Sequence, residues 1–284
     1  MDNSVKTIKH LNWLMVAMLG ILFGHVVIQF VLYSFTNLEK TTIYIIADSF
    51  YVLSFILLYK NNHQDVFASN SKNDMALVLP GIAFMYGLSF FSSIIVLLVE
   101  TGLNYCGIGM MRPEIVFSEN FLPNFILAVE TCFIAPLIEE TFFRGILLNN
   151  LKEYGKFSAI VYTSLWFGIF HGNLAQALPA FLIGVVFAII DLKAQSIRPS
   201  IMLHAFNNTV SLIILYTNND SLMMFFSMGI IASAVYVVKY IHQNYSEIKA
   251  NIKEAKIWPF FKNKAAIIAL AIVVVEMALT FYKI

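Results

Sequence analysis

Charged side chains are scarce in this chain. Only 12% of its 284 residues are Asp, Glu, Lys or Arg, whereas 59% are apolar. Too little polar surface remains to cover a soluble globule, so an ordinary water-soluble domain is excluded. The formal net charge is +1, and no basic patch interleaved with aromatics stands outside the loops that flank the apolar runs, which also excludes a nucleic-acid partner.

Cysteine is nearly absent. The chain has two cysteines, Cys106 and Cys132, and their spacing fits no metal-binding motif. Cys132 falls inside an apolar run and Cys106 in a loop, so we predict depths too different for a disulfide. A disulfide framework and a cysteine-bound metal are therefore both excluded.

Apolar runs long enough to cross a bilayer recur along the whole chain. A hydrocarbon core of roughly 30 Å needs about 17–25 apolar residues in a helix. The runs predict an all-α, polytopic integral membrane helical bundle with about eight to nine transmembrane helices, forming a single membrane domain over residues 1–284. Nine spans are predicted: Leu11–Phe35, Thr42–Tyr59, Met75–Val99, Phe121–Leu151, Phe157–Phe170, Ala177–Asp191, Pro199–Tyr216, Leu222–Lys239 and Ala265–Tyr282.

Basic residues are unevenly divided between alternate loops. With the N-terminus in the cytoplasm, fourteen Lys and Arg fall on the cytoplasmic side and three on the outer side. Cytoplasmic loops carry the positive excess, so we predict this orientation. The first run follows Lys6 and Lys9 but is too long for a signal peptide and lacks a small-x-small cleavage site, so it is expected to be a retained anchor.

Three charges lie inside the fourth predicted span. Glu139 and Glu140 fall about 18 Å from its cytoplasmic end, where an unpaired charge costs several kcal/mol. Glu140 and Arg144 are four residues apart, so they are predicted to form an ion pair on one helix face. Glu139 points about 100° away and is left free to titrate or to hold a proton. Pro136 is expected to bend the helix.

Two histidines occupy other apolar spans. His171 shares a helix face with Phe167, and His204 shares one with Asn208. A carboxylate and two imidazoles that converge from three helices suit either the activation of water by a general base or the binding of a divalent metal such as zinc. The amide of Asn208 can donate to a developing oxyanion.

The depths of the two histidines disagree. A helical rise places His171 about 21 Å from the inner end of its span and His204 about 8 Å from Pro199. Either the seventh span begins deeper than its sequence boundary, or its helix is tilted or recessed in a water-filled funnel lined by protein.

The remaining ionisable residues in apolar runs stand alone in the sequence. His25 is predicted to be an interhelical hydrogen-bond partner. Asp48, Glu130 and Glu276 fall nearer the outer ends of their spans and are expected to reach headgroups or to pair.

Three short motifs follow one another on separate predicted helices. EETFFR at 139–144 fits an EExxxR pattern, FGIFH at 167–171 fits FxxxH, and HAFNN at 204–208 fits HxxxN. In that order the trio resembles the CAAX-processing and bacteriocin-processing (CPBP) family of intramembrane endopeptidases, also called the abortive-infection family. The resemblance covers about residues 121–216, which we expect to be the catalytic core.

The resemblance implies a CAAX-type intramembrane endopeptidase, a hydrolase of a kind also described as a metalloprotease. It implies that Glu139 acts with His171 to activate water, and that His204 and Asn208 stabilise the oxyanion. A divalent metal held by Glu139, His171 and His204 stays open beside a metal-free mechanism. Three further residues would support the site: Glu140, Arg144 and Phe167.

The resemblance also implies a kind of substrate and a location. The expected partners are the lipid bilayer and a membrane-associated or lipidated peptide, as in CAAX, pheromone or bacteriocin processing, and the expected location is a bacterial plasma membrane. Two alternatives remain at this stage. One is a non-catalytic immunity or regulatory protein on the same scaffold. The other is a transporter with a Glu and His relay, which would be expected to show inverted repeats that this sequence lacks.

Overall fold

Helices make up nearly all of the computed structural model, which describes residues 3–60, 74–112, 115, 117–254 and 256–284. This confirms the predicted all-α membrane bundle. The α-helices are α1 Asn3–Phe35, α2 Lys40–Lys60, α3 Val78–Tyr105, α4 Phe121–Val129, α5 Ala135–Glu140, α6 Asn149–Leu151, α7 Lys156–Ile169, α8 Leu174–Ala194, α9 Arg198–Thr217, α10 Asp220–Gln243, α11 Tyr245–Glu254, α12 Trp258–Phe261 and α13 Lys264–Ala278.

Six helical stretches among the described residues are long and apolar enough to cross a membrane. The other three predicted spans are also helical: α7 has 14 residues, α9 has 20 and α13 has 15. All nine predicted spans thus form helices, while the number that cross the bilayer stays a prediction. The six stretches are Val5–Phe35, Thr42–Lys60, Met75–Tyr105, Phe121–Tyr154, Leu174–Ala194 and Asp220–Gln243.

Asparagines begin three of the helices. The side chains of Asn173, Asn219 and Asn263 each accept a hydrogen bond of 2.9–3.0 Å from the backbone N–H three residues later. This contact satisfies one of the unpaired donors at a helix N-terminus. Gln195 ends α8 and Asn218 ends α9 in the left-handed conformation, with φ of 54° and 43°. Local capping therefore sets both boundaries of α8, which lies between two of the motif helices.

The helices pack into one bundle around aromatic side chains. Helix α7 packs on α8, α3 packs on both α8 and α10, and α1 packs on α2 and α13. Trp166, Phe142 and Phe143 are fully buried in the main apolar cluster. A second cluster around Met85 and Phe187 joins α3 to α8 and α9. The motif residues lie between these two clusters.

The fourth long helix changes its winding twice. Two π-helical segments, Glu130–Ile134 and Thr141–Leu148, stand on either side of α5. Helix α5 is only six residues long and carries Glu139 and Glu140. Such π-helical interruptions widen a helix locally and are frequent at functional sites.

A short antiparallel strand pair was not expected from the sequence. Strand β1, Ile108–Met110, pairs with β2, Phe281–Lys283. The last predicted span, Ala265–Tyr282, is therefore too long at its end, because α13 stops at Ala278. Gly109 lies directly under the ring of Tyr282, where a Cβ atom would collide with the ring. Three residues per strand are too few to give a clear alternating pattern.

Candidate active site

Glu140 and Arg144 form a buried ion pair in the fourth long helix. Arg144 Nε lies 3.2 Å from Glu140 Oε2, and both side chains are fully buried. A second contact of 3.4 Å joins Arg144 Nη1 to Glu140 Oε1. This is the contact that their spacing predicts, and it offsets the cost of burying each charge.

Aromatic rings and one carbonyl complete the surroundings of Arg144. Its Nη2 donates to the carbonyl of Gly184 on α8 at 3.1 Å. Its Cζ lies 4.3 Å from the centre of the Phe167 ring on α7 and 5.5 Å from that of Phe187. Cation–π attraction is strongest where water is excluded. The guanidinium is therefore held between three helices.

We expect Gly184→Ala to lower the free energy of unfolding by about 1–3 kcal/mol. A Cβ atom there would lie 3.0 Å from Arg144 Nη2 and 3.1 Å from Phe167 Cδ1, so the guanidinium would have to move. The matched control is Gly229→Ala in α10, where no described atom comes within 4 Å of the added Cβ. Unfolding of both variants by a denaturing detergent compares them, and an equal effect at the two glycines would contradict the assignment.

The carboxylate of Glu140 also binds the imidazole of His204 on α9. His204 Nδ1 lies 2.9 Å from Glu140 Oε1, and the His204 side chain is buried. A carboxylate only accepts, so Nδ1–H donates and Nε2 is left for another partner. The sequence pointed to Glu139 as the carboxylate nearest the imidazoles. Glu140 rather than Glu139 contacts His204, because α9 packs on the face of α5 that carries Glu140.

Asn208 is anchored by the π-helical winding of the fourth helix. In the first π segment the N–H of Ala135 reaches the carbonyl of Glu130, five residues back. The next such bond would come from Pro136, which has no N–H, so the carbonyl of Thr131 loses its helical partner. Asn208 Nδ2 donates to that carbonyl at 2.9 Å. The carbonyl that lacks a helical partner is therefore that of Thr131. A regular α-helix would leave a different carbonyl unpaired. The Thr131 carbonyl orients the amide of Asn208.

His171 follows the last turn of α7 rather than lying within it. The helix ends at Ile169, and His171 Nδ1 lies 2.9 Å from the carbonyl of Phe167. A carbonyl can only accept, so Nδ1 carries the proton. Nε2 is therefore the nitrogen with a free lone pair when the ring is neutral.

The Phe167 ring contacts both imidazoles. Its centre lies 5.4 Å from the ring centre of His171 and 5.6 Å from that of His204, with both pairs edge to face. The two histidines therefore lie in the same region of the bundle. The beginning of α9 is itself buried, since Ile197 is 5% exposed and Ser200 0%. Helix α9 itself begins at Arg198, one residue before the predicted start of the seventh span, so the depth of the two histidines in a bilayer stays a prediction.

Glu139 is oriented differently from its neighbour. It is half-buried, and its Oε2 is buried without a hydrogen-bond partner among the described residues. No hydrogen bond within this described part of the chain joins it to His171 or His204. Glu139 and Glu130 both lie close enough to Tyr51 of α2 to act on its hydroxyl electrostatically. Among the described residues, Glu139 therefore keeps one unpaired carboxylate oxygen, and its catalytic role stays a prediction.

Asp191 is a site residue that the sequence reasoning missed. It was expected only to end the sixth span, but it is buried within α8 and binds the first turn of α9. Ser200 donates to it from its backbone N–H at 3.2 Å and from its hydroxyl. Ser200 stands one turn before His204, so Asp191 fixes the position of that histidine. The sequence carries a signal for this contact. A carboxylate lies before a three-residue turn, and the helix that follows the turn has a serine in its first turn.

Glu139, His171 and His204 do not form a metal cage in this arrangement. Zinc holds its ligand atoms about 2.0–2.3 Å from itself, so they must cluster closely. Among the described residues, the one group of three His, Cys, Asp or Glu side chains with ligand atoms all within 4.8 Å lies elsewhere. The Phe167 ring contacts both imidazoles. A divalent metal held by Glu139, His171 and His204 stays a prediction.

Comparison with known proteins supports the motifs. The family model described as type II CAAX prenyl endopeptidase, Rce1-like, matches residues 121–210. An uncharacterized 24.3 kDa protein of Escherichia coli is 31% identical over 105 residues, which cover 34% of this chain and 48% of that protein. The chain thus spans about half the length of this relative. No solved structure matches the chain significantly.

The matched segment contains all three motifs. It begins where α4 begins and ends after Asn208, while the extent of the catalytic core stays a prediction. Over residues 121–210, the chain is therefore similar to the Rce1-like family.

Proposed function

We propose that this protein is an intramembrane endopeptidase of the CAAX type, which hydrolyses a peptide bond in a membrane-associated or lipidated peptide. One observation carries the proposal. Side chains from all three motifs of the family-matched segment surround Phe167 in the interior of the helix bundle. Several ionisable groups buried together at one place in a membrane bundle favour a functional site over a structural one.

Glu139 is proposed as the general base. Its carboxylate takes a proton from water, and the hydroxide attacks the carbonyl carbon of the scissile bond. His171 Nε2 accepts a hydrogen bond from the same water, because Nδ1 is committed to the Phe167 carbonyl. The protonated Glu139 then gives its proton to the leaving amine, which completes the hydrolysis without net uptake of protons.

His204 and Asn208 are proposed to stabilise the oxyanion. Asn208 Nδ2 has two hydrogens, and one of them is used on Thr131, so the second is available to donate. His204 donates from Nδ1 to Glu140, and a proton on Nε2 would face the oxyanion. The carboxylate of Glu140 balances the resulting imidazolium. Such preorganised donors typically contribute about 10²–10³-fold each to turnover.

Glu140, Arg144 and Phe167 are proposed to act through other residues. Arg144 holds the carboxylate of Glu140 in place, and this carboxylate accepts from His204 Nδ1 and so fixes the orientation of that ring. Phe167 packs against Arg144 and against both imidazoles, and it excludes water from the ion pair. These three side chains fix the geometry in which the reacting groups work.

The proposal extends to the setting of the reaction. The excess of basic residues on one side favours a cytoplasmic N-terminus, and the apolar bundle places the site within a bilayer, which we propose to be a bacterial plasma membrane. The substrate would then be a peptide held at the membrane by a prenyl or acyl chain or by its own apolar segment, such as a pheromone or bacteriocin precursor. A lipid anchor places the scissile bond close to the bilayer.

Mass spectrometry of membrane peptides tests the proposal. Peptides are extracted from cells that carry either the wild-type protein or Glu139→Ala at equal membrane levels. We expect at least one peptide to be present as a shortened product with the wild-type protein and at full length with the variant. Identical peptide profiles would contradict catalysis and support the non-catalytic regulatory alternative.

A further inference from the structure

Three ionisable side chains from three helices lie close together, and this group is away from the motif residues. His25 lies on α1, Asp48 on α2 and Glu130 at the start of the first π segment. One ligand atom from each can be chosen so that all three lie within 4.8 Å of one another, and all three residues are half-buried. Glu130 stands nine residues before Glu139, roughly 13 Å along the helix axis. The group is therefore separate from the proposed site of hydrolysis.

A hydrogen bond between helices explains only part of this group. His25 Nε2 lies 2.9 Å from Asp48 Oδ1, which is the interhelical contact that the sequence predicted for His25. That bond leaves Glu130 as a second carboxylate in an apolar layer. It also leaves Asp48 Oδ2 buried without a hydrogen-bond partner among the described residues. Two adjacent carboxylates in a membrane helix bundle are stabilised either by a proton that they share or by a bound cation.

His25 Nε2 has more neighbours than a single ring nitrogen can satisfy. Asp48 Oδ1, an acceptor, lies 2.9 Å away, and Gln29 Nε2, a donor, lies 3.2 Å away. A ring nitrogen carries either one hydrogen or one lone pair, so it can satisfy only one of them. A cation bound to the lone pair would bridge the nitrogen to the Asp48 carboxylate, and the amide of Gln29 would then have to turn away.

We propose that His25, Asp48 and Glu130 bind a divalent cation of the zinc or manganese class. One imidazole with two carboxylates is a mixed nitrogen and oxygen donor set, which suits these ions better than magnesium or calcium. Ligand atoms on one such ion lie about 3–4 Å apart, so small side-chain rotations would close the set. Three protein ligands leave a coordination position open for water or for a substrate carboxylate.

The position of the site indicates its role. Three helices, α1, α2 and the fourth, would be held together by the ion at the level of Glu130. Tyr51 of α2 packs against His25 with ring centres 5.9 Å apart, and it also lies within electrostatic reach of Glu139. The ion would therefore fix the helix that faces the proposed general base.

Metal content of the purified full-length protein tests the proposal. The wild-type protein is stripped with a chelator, reloaded with Zn²⁺ or Mn²⁺ and washed, and the metal is measured by mass spectrometry. We expect about one ion per chain in the wild type and an affinity at least 10–100-fold weaker in both Asp48→Asn and Glu130→Gln. Glu276→Gln, another carboxylate in a membrane helix, is the matched control and should keep the ion.

Glu139→Gln separates this site from the motif residues. The variant should still bind the ion, whereas loss of the ion in Glu139→Gln with retention in Asp48→Asn and Glu130→Gln would overturn the proposal and assign the metal to the motif. Absence of bound metal from the folded wild type would overturn it as well. Couplings between the Mn²⁺ electron spin and ligand nitrogen nuclei provide a second readout, in the wild-type protein and in folded His25→Gln. A histidine nitrogen coupling that disappears in His25→Gln supports the proposal.

Discussion

Replacing Glu139 by glutamine is expected to lower the rate of peptide cleavage by about 10²–10⁴-fold, the contribution of a general base. Glutamine has the shape of glutamate but cannot take a proton from water. Glu139 Oε2 has no hydrogen-bond partner among the described residues, so the loss should fall on chemistry rather than on folding. Cleavage is followed by mass spectrometry with the purified protein in lipid vesicles.

Two controls accompany the Glu139 variant. Glu100→Gln removes a carboxylate that pairs with Arg112 at the far end of α3, and it should leave turnover unchanged. His171→Ala should lower turnover by a similar factor to Glu139→Gln, and the double variant should be little slower than the slower single variant, because the two residues act on one water. Full multiplication of the two effects would contradict a shared water.

Replacing Arg144 by methionine is expected to lower the free energy of unfolding by about 3–5 kcal/mol, because it leaves the Glu140 carboxylate buried without its cation. Both side chains of the pair are fully buried, so water cannot replace the lost partner. Unfolding in a denaturing detergent, followed by circular dichroism in lipid micelles, measures the loss. Turnover should fall as well, since Glu140 also holds His204.

The double variant Glu140→Gln with Arg144→Met separates charge from packing. Removal of both charges should recover most of the lost stability, because no unpaired charge remains in the interior. Turnover should stay low, since the carboxylate that orients His204 is gone. A double variant as unstable as Arg144→Met alone would show that the arginine acts through its contacts with Phe167 and Gly184.

Hydropathy and residue spacing predicted those parts of the structure that depend only on residues close together in the sequence. Hydropathy predicted a helix at each of the nine spans, and the structure has a helix in each of them, because each span carries its own apolar run. The pair of Glu140 with Arg144 followed from their separation of four residues, even though π-helical winding begins at Thr141. His25 was correctly predicted to bond to a neighbouring helix, but its partner, Asp48, could not be named because interhelical contacts depend on how the helices pack.

The rest of the site depends on winding and packing that a single sequence does not encode locally. The two π segments rotate the fourth helix and turn Glu140 towards His204, and the sequence signalled only a bend at Pro136. The position of His204 in the bundle depends on the buried turn between α8 and α9, which Asp191 and Ser200 hold together. The roles proposed for Glu139, His171, His204 and Asn208 stay predictions until they are measured.

The two π segments connect the fold to the proposed chemistry. The first leaves the Thr131 carbonyl for Asn208, and the second begins directly after Glu140. Helix α5 between them carries the two adjacent carboxylates, which point about 100° apart. A regular α-helix would pair the Thr131 carbonyl with the N–H of Ala135, four residues on, and Asn208 would lose its anchor.

Hydrolysis in water labelled with ¹⁸O is the most direct measurement. The substrate is the peptide that stays at full length in membranes carrying Glu139→Ala, and it is incubated with purified wild-type protein or with Glu139→Gln. The proposed function predicts one cut by the wild-type protein, with one ¹⁸O in the new carboxyl terminus, and no comparable product with the variant. A folded wild-type protein that leaves this peptide intact, or equal cleavage by the two proteins, would contradict it.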